Sequence, residues 1–232
     1  MRTFAIGDIH GNYRGLLQVL ERSGFDKESD RLYVLGDVCD GWSQVPECVE
    51  ELLTIKNLII LLGNHDKWAM DWLQFGIDKP QWLMQGGMAT YDAYNINVHL
   101  KDKHMNEYFN KAHDYYIDEN NYAYVHGGWC ENRRGLGFNN RIDYLWDRSM
   151  WYALGTYHHM GLQSPINKMY DKVFIGHTCT GIKKPEKRCN CWNLDSGAGW
   201  DGKLTIMDVN TEEYWQSDDT DILYPDEKGR RG

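Results

Sequence analysis

The segment Gly7-Asp8-Ile9-His10-Gly11 decides the fold because of what lies on either side of it. The apolar run of residues 3–6 ends in this polar, glycine-rich turn, and apolar residues at helical spacing follow over residues 16–20. This order predicts a β-strand, a tight turn and an amphipathic helix.

The same pattern occurs twice more in the first third of the chain. An apolar run over residues 32–35 leads into Gly36-Asp37-Val38-Cys39-Asp40-Gly41, and another over residues 58–62 leads into Gly63-Asn64-His65-Asp66. Strands that alternate with helices predict βαβ units and a largely parallel sheet. Ligand sites in such sheets lie at the carboxyl ends of the strands, where these polar turns fall.

The rest of the chain divides into three parts. Residues 67–121 are rich in Trp, Tyr, Met and charged residues without a clear run of strands, which predicts a mainly helical insertion. Two more strands, at 122–125 and 172–175, end in His126-Gly127 and Gly176-His177-Thr178, and residues 181–215 indicate antiparallel strands with glycine-rich turns. We predict one domain over residues 1–216 and a polar, frayed tail over residues 217–232.

Composition limits the classes of partner. The chain has 232 residues, of which 42% are hydrophobic, so it can bury a core, and its net charge of −9 argues against nucleic acid as a partner. No apolar stretch reaches the length of a membrane span, and the first residues run into Gly7-Asp8 too soon for a signal peptide. We therefore expect no membrane partner and a cytoplasmic location.

Residues that can bind a metal recur at the predicted strand ends, each beside a glycine. They are Asp8 and His10, Asp37, Asn64, His126, and His177. Carboxylate, imidazole and amide ligands suit Mn, Fe or Zn, and a carboxylate such as Asp37 can bridge two ions that hold the oxygens of a phosphoryl displacement. A single Asp at such a turn is most often a helix N-cap, but the recurrence at other strand ends favours a metal site.

Together these motifs resemble the ordered motif set of the calcineurin-like metallophosphoesterases, and most of all the compact bacterial and bacteriophage serine/threonine protein phosphatases. The resemblance implies an α/β fold, a four-layer αββα sandwich with two mixed β-sheets and a mainly helical insertion. It also implies two divalent metal ions, with manganese first and iron or zinc as alternatives. Asp8 and His10 would bind one ion, Asp37 would bridge, and the second ion would be bound by Asn64, His126 and His177.

The resemblance also implies the other roles in the site. His65 matches the general acid, Asp40 the carboxylate that orients it, and the nucleophile would be a water activated by the two metals. Asn64 would also contact the phosphate.

One position departs from the family pattern. The phosphate-binding arginine that usually follows the second motif is replaced by Gly41, which Trp42 follows. Arg148 resembles the family's second phosphate-binding arginine, and Arg133 and Arg134 are further candidates for the missing charge.

These roles predict hydrolysis of phosphate monoesters. The resemblance alone implies proteins phosphorylated on serine or threonine as the leading substrate. An alternative is a dinucleoside polyphosphate hydrolase of the same superfamily. A second alternative, a non-catalytic scaffold that binds a phosphorylated ligand, is disfavoured because every expected ligand and His65 are present.

Overall fold

The computed structural model describes residues 1–130 and 135–231, so Arg133 and Arg134 lie outside the described residues. Within these ranges the strands are β1 (Thr3–Ile6), β2 (Arg31–Val34), β3 (Asn57–Ile60), β4 (Tyr115–Ile117), β5 (Tyr122–Val125), β6 (Lys172–Ile175), β7 (Glu186–Arg188), β8 (Cys191–Asn193), β9 (Thr205–Asp208) and β10 (Tyr214–Gln216). The predicted strands at 3–6, 122–125 and 172–175 match β1, β5 and β6, and the other two predicted strands overlap β2 and β3.

The first three helices follow the three polar turns, as predicted, and are α1 (Tyr13–Arg22), α2 (Val45–Leu53) and α3 (Asn64–Phe75). The later helices are α4 (Pro80–Trp82), α5 (Met88–Ile96), α6 (Lys101–Glu107), α7 (Arg141–Trp146), α8 (Ser149–His159) and α9 (Thr220–Leu223). Leu83–Gly87 form a kink at which Gln85 and Gly86 have non-helical backbone angles. Turns of 3₁₀ type cover Val98–Leu100, Phe109–Lys111, Pro165–Lys168 and Gly229–Arg231. In the described ranges no helix is both long and apolar enough to cross a membrane.

The strands form two mixed sheets of five strands each. The first has the order β10-β9-β1-β2-β3, in which β1, β2 and β3 are parallel and β9 is antiparallel to β1. The second has the order β4-β5-β6-β8-β7, in which β5, β6 and β8 are parallel. Two mixed sheets flanked by helices confirm the predicted architecture.

Alternation along the strands explains why the sheets pack face to face. In β2, Leu32 and Val34 belong to the core that includes α1 and α2 residues, whereas Tyr33 belongs to the core between the sheets. Tyr33 stacks on Tyr124 of the second sheet at a ring-centroid distance of 3.7 Å, and Tyr124 stacks on Phe174 at 5.3 Å. Successive side chains on a strand point to opposite faces, so both faces of each sheet are buried.

The insertion is helical, but it ends earlier than predicted. Its helices run from α3 to the 3₁₀ turn Phe109–Lys111, and the next element is strand β4, inside the range predicted to be helical. Strand β4 is three residues long and pairs with β5 at the edge of the second sheet. Such a short, incompletely buried strand leaves no alternating apolar pattern in the sequence.

The glycine-rich stretch at residues 196–202 also differs from the prediction. We expected it to join antiparallel neighbours, but β8 lies in the second sheet and β9 in the first. The stretch therefore crosses between the sheets, and the carbonyl of Ala198 accepts a hydrogen bond from Nε1 of Trp42 at 2.6 Å.

The prediction of a frayed tail is wrong. Ser217, Thr220 and Tyr224 are buried, and the ring of Tyr224 stacks on Trp42 at 4.8 Å. The backbone N–H of Thr220 donates to the carbonyl of Gly202 at 2.9 Å. The segment is polar overall, so its composition did not indicate that Tyr224 is buried against Trp42.

Candidate metal centre

The candidate ligands lie in turns that follow strands of both sheets. The turns after β1 and β2 carry Asp8 and Asp37, Asn64 is the first residue of α3 after β3, and the turns after β5 and β6 carry His126 and His177. Glycine is needed beside them, because a Cβ on Gly63 would lie 2.1 Å from Oδ1 of Asp37 and one on Gly176 2.1 Å from Oδ1 of Asp8.

The structure brings these residues together as two groups that share one carboxylate. Asp8, His10 and Asp37 form one group, and Asp37, His126 and His177 form the other. In each group the potential ligand atoms lie within 4.8 Å of one another, and all five side chains are buried. Asn64, also predicted as a ligand, places its Oδ1 3.0 Å from Nε2 of His126. This is the arrangement that two ions and a bridging Asp37 require.

Unusual backbone geometry marks the same turns. His10, Asp37, Asp40 and His177 have φ angles of 52°, 51°, 73° and 64°, in the left-handed region that residues other than glycine rarely occupy. Such conformations cost of order 1–3 kcal/mol each and cluster at functional sites.

The histidines are oriented by backbone carbonyls. Nδ1 of His10 lies 2.9 Å from the carbonyl of Cys39, and Nδ1 of His126 lies 2.7 Å from that of Leu35. Because a carbonyl only accepts, each Nδ1 carries a proton, and Nε2 is the ring nitrogen that faces the carboxylates and could bind a metal. This second hydrogen bond is typical of histidines that bind metals. In the described parts of the chain, the buried Nε2 of His177 has no hydrogen-bond partner.

The site concentrates buried charge. Burial and the neighbouring Asp195 carboxylate raise the pKa of Asp8 well above its usual value. Burial also acts to raise the pKa of Asp37, but His126 and His65 hold it well below its usual value. Burial acts to lower the pKa of His126, yet the Asp37 carboxylate raises it to about 9. Buried carboxylates need a compensating cation, so the donor set, the charge and the unpartnered His177 nitrogen all fit divalent ions.

The predicted acid pair is present and is held by the inserted helices. Nδ1 of His65 lies 2.5 Å from Oδ2 of Asp40, and both side chains are buried. Asp40 also accepts from Nε1 of Trp82 at 2.9 Å and from Oγ1 of Thr90 at 2.7 Å. We did not predict Trp82 or Thr90, because nothing local in the sequence connects them with Asp40.

A cavity of about 550 Å³ opens beside the metal centre. Arg148 lines it and donates through Nη2 to the carbonyl of His177 at 3.4 Å, so the structure places this predicted residue at the site. Asp195, Trp200 and Arg230 also line the cavity, and none of these three was predicted as a site residue. The sequence did give an indication that Asp195 belongs to the site, because it follows a short apolar run and precedes a glycine-rich turn. It gave no such indication for Arg230.

Asp66 connects two of the turns through hydrogen bonds to their backbone. Its Oδ1 accepts from the backbone N–H groups of Val38 and Cys39 at 2.9 and 3.1 Å, and its Oδ2 accepts from Gly63 at 3.2 Å. The carboxylate therefore ties the second turn to the third.

The chain belongs to the calcineurin-like phosphoesterase family, whose model matches residues 1–183. It is a metallophosphoesterase with residues clustered for a dinuclear metal site.

Two curated relatives carry the same name. A symmetrical bis(5'-nucleosyl)-tetraphosphatase of Neisseria gonorrhoeae is 24% identical, and the match covers 93% of this chain and 95% of that protein. Another, of Dechloromonas aromatica, is 42% identical over 74 residues, so that the match covers 30% of this chain and 26% of that protein.

A crystal structure shares the fold. The protein in that structure was provisionally identified as a diadenosine tetraphosphatase. The TM-score is 0.65 and the sequence identity is 17%, and the match covers 93% of this chain and 92% of that one.

Proposed function

We propose that this metallophosphoesterase is a dinucleoside polyphosphate hydrolase. The similarity to a symmetrical tetraphosphatase over nearly the full length of both chains carries the choice of substrate. The two buried groups that share Asp37 support the reaction class. This reading replaces the protein phosphatase that the motifs alone had favoured.

In this proposal Asp8, His10 and Asp37 would hold one ion, and Asp37, Asn64, His126 and His177 would hold the other. Two divalent ions held there would polarise the phosphate oxygens and lower the pKa of a water to supply the nucleophile. Manganese suits these ligands, as do iron and zinc.

We assign to His65 the donation of a proton to the leaving phosphate oxygen. Its Nδ1 is engaged by Asp40, so Nε2 is the ring nitrogen that remains for the substrate. Asp40, fixed by Trp82 and Thr90, holds the ring through Nδ1 and sets its direction. Arg148, at the rim of the cavity, has the fork of N–H donors that binds phosphate oxygens in pairs.

Two separate cavities favour a substrate with a nucleoside at each end. One cavity is lined by His177, Trp200 and Arg148. The other, of about 310 Å³, is lined by Asn64, Trp68 and Trp146 and by three cationic residues. These are Lys79, Lys67, which pairs with Asp71 of the same cavity, and Arg141, which pairs with Asp114. Indole rings stack on nucleobases and cations bind the connecting phosphates, so each cavity offers the chemistry that one half of a dinucleoside polyphosphate needs.

The test compares substrates on one preparation. Metal-stripped protein is assayed with p-nitrophenyl phosphate, diadenosine tetraphosphate and a phosphothreonine peptide, before and after addition of manganese, iron or zinc. We expect manganese to restore activity, with the dinucleotide as the preferred substrate and two molecules of ADP as its products.

Other outcomes are equally informative. AMP and ATP as products would contradict symmetrical cleavage, and preference for the peptide would support a serine/threonine protein phosphatase instead. Failure to bind any metal would support the non-catalytic scaffold.

A further inference from the structure

The side chain of Arg230 reaches the metal centre from the far end of the described chain. Its Nη1 lies 3.2 Å from Nε2 of His10, and its Nε donates to the carbonyl of Gln85 at 3.2 Å. The guanidinium carbon lies 4.8 Å from the centroid of the Trp200 ring. Two of these partners are neutral hydrogen-bond acceptors and the third is the face of an indole ring. None of them is an anion, so they do not neutralise the positive charge of the guanidinium group.

Three glycines from separate segments make room for the stem of Arg230. A Cβ would lie 3.3 Å from its Cγ if added to Gly41, 3.0 Å from its Cγ if added to Gly86, and 2.9 Å from its Cδ if added to Gly199. Gly41 is the position at which the family motif usually has arginine. The space beside that position is therefore filled by an arginine that comes from elsewhere in the chain.

The neighbouring Trp42 fixes the segment that carries Arg230. Tyr224 stacks on Trp42, and a Cβ added to Gly229 would lie 2.7 Å from Cζ2 of the same indole. The backbone N–H of Arg230 donates to the carbonyl of Gly199 at 2.9 Å. Gly41 and Trp42 thus act together, since one leaves space for the side chain and the other holds its backbone.

Arg230 and Arg148 line the same cavity beside His177 and Asp195. A guanidinium presents a rigid fork of donors that matches two oxygens of a phosphate. His10 can offer Nε2 either to Arg230 or to a metal, so metal uptake would release Nη1 for an anionic ligand.

We propose that Arg230 is a phosphate-binding residue of this site and supplies the charge that Gly41 cannot. The proposal rests on the proposed function, because it assumes that a phosphate group binds at the metal centre. It assigns the role to Arg230, alongside Arg148, in place of Arg133 and Arg134.

The experiment measures binding of inorganic phosphate to the manganese-loaded full chain by titration calorimetry. Arg230→Met removes the charge at similar length, Arg230→Lys keeps the charge without the fork, and Arg230→Gln keeps N–H donors without charge. Lys228→Met is the matched control, because this exposed lysine lies in the same segment and its loss changes the net charge equally. Manganese content and thermal unfolding are measured on every variant.

We expect Arg230→Met to weaken phosphate binding about 10- to 100-fold, the scale of lost hydrogen bonds to a charged group. Arg230→Lys should recover part of the affinity, Arg230→Gln little of it, and Lys228→Met should bind phosphate like the wild type. If Arg230→Met binds phosphate as well as the wild type with normal manganese content, the proposal is wrong. Tighter binding would also overturn it, because the side chain would then block the site.

Phosphate binding is read without turnover, so the two proposals fail separately. A chain that hydrolyses no phosphate ester but needs Arg230 to bind phosphate would contradict only the proposed function. A chain that hydrolyses diadenosine tetraphosphate with the same KM in wild type and Arg230→Met would contradict only the role of Arg230.

Discussion

Asp8 and Asp37 reach the site from turns directly after their own strands, whereas Thr90 and Arg230 reach it from segments far along the chain. The first pair is placed by hydrogen bonding within one sheet, since β1 and β2 are parallel neighbours. The second pair depends on how the inserted helices and the C-terminal segment pack on the finished sheets. The first pair belongs to the proposed metal ligands, whereas Thr90 contacts Asp40 and Arg230 is the proposed phosphate-binding residue. Each of the following variants tests that division of roles.

The largest effect is expected for Asp37→Asn. Asp37 belongs to both groups of ligands, so the variant should lose metal as well as activity, by more than the roughly 10⁴-fold upper range for loss of a general acid. Metal content by atomic emission and turnover of diadenosine tetraphosphate are measured together. Full occupancy by both metals would argue against the bridging role.

His65→Asn should affect turnover alone. We expect a decrease of roughly 10²–10⁴-fold, because the leaving oxygen loses its proton donor. Metal content should match that of the wild type, which distinguishes this variant from Asp37→Asn. Normal turnover would show that His65 is not the acid.

Thr90→Val should have a smaller effect on the same step. It keeps the shape but removes the hydroxyl that donates to the buried Asp40, which we expect to lower turnover about tenfold. Thr90→Ser retains the hydroxyl and serves as the matched control. Equal turnover of Thr90→Val and Thr90→Ser would mean that the inserted helices do not act through Asp40.

The smallest effect is expected for Tyr224→Phe, which tests how firmly the C-terminal segment is held. The hydroxyl accepts from the backbone N–H of Arg14 at 3.1 Å and donates to Gln44 at 3.0 Å. Its loss should lower the free energy of unfolding by about 1 kcal/mol, measured by urea denaturation. Tyr214→Phe, at an exposed ring, should change it less; an equal change would mean that these bonds do not hold the segment.

The sequence predicted the strand ends well because each turn combines an apolar run, a glycine and a polar side chain within a few residues. Such a pattern is local, and parallel strands then bring the turns to one edge. His65 and Asp40 were predicted through the family motif, and the structure places them in contact.

The remaining features could not be predicted because they depend on contacts between distant segments. Strand β4 is a strand only because β5 lies beside it. Thr90 lies within an ordinary helix, and Arg230 in a segment whose composition indicates a frayed end. Gly41 in the sequence showed that the usual phosphate-binding arginine is absent. Which residue fills the space beside Gly41 is seen only in the structure, where Tyr224 packs on Trp42 and the side chain of Arg230 lies against Gly41.

The stacked rings between the sheets have a consequence for the metals. Asp8, His10, Asp37 and Asn64 follow strands of the first sheet, while His126 and His177 follow strands of the second. The separation of the two layers, which Tyr33, Tyr124 and Phe174 fill, therefore sets the distance between the two halves of the ligand set. We therefore expect substitutions of these interior rings to change that distance, and with it the preference among the divalent ions that these residues would hold.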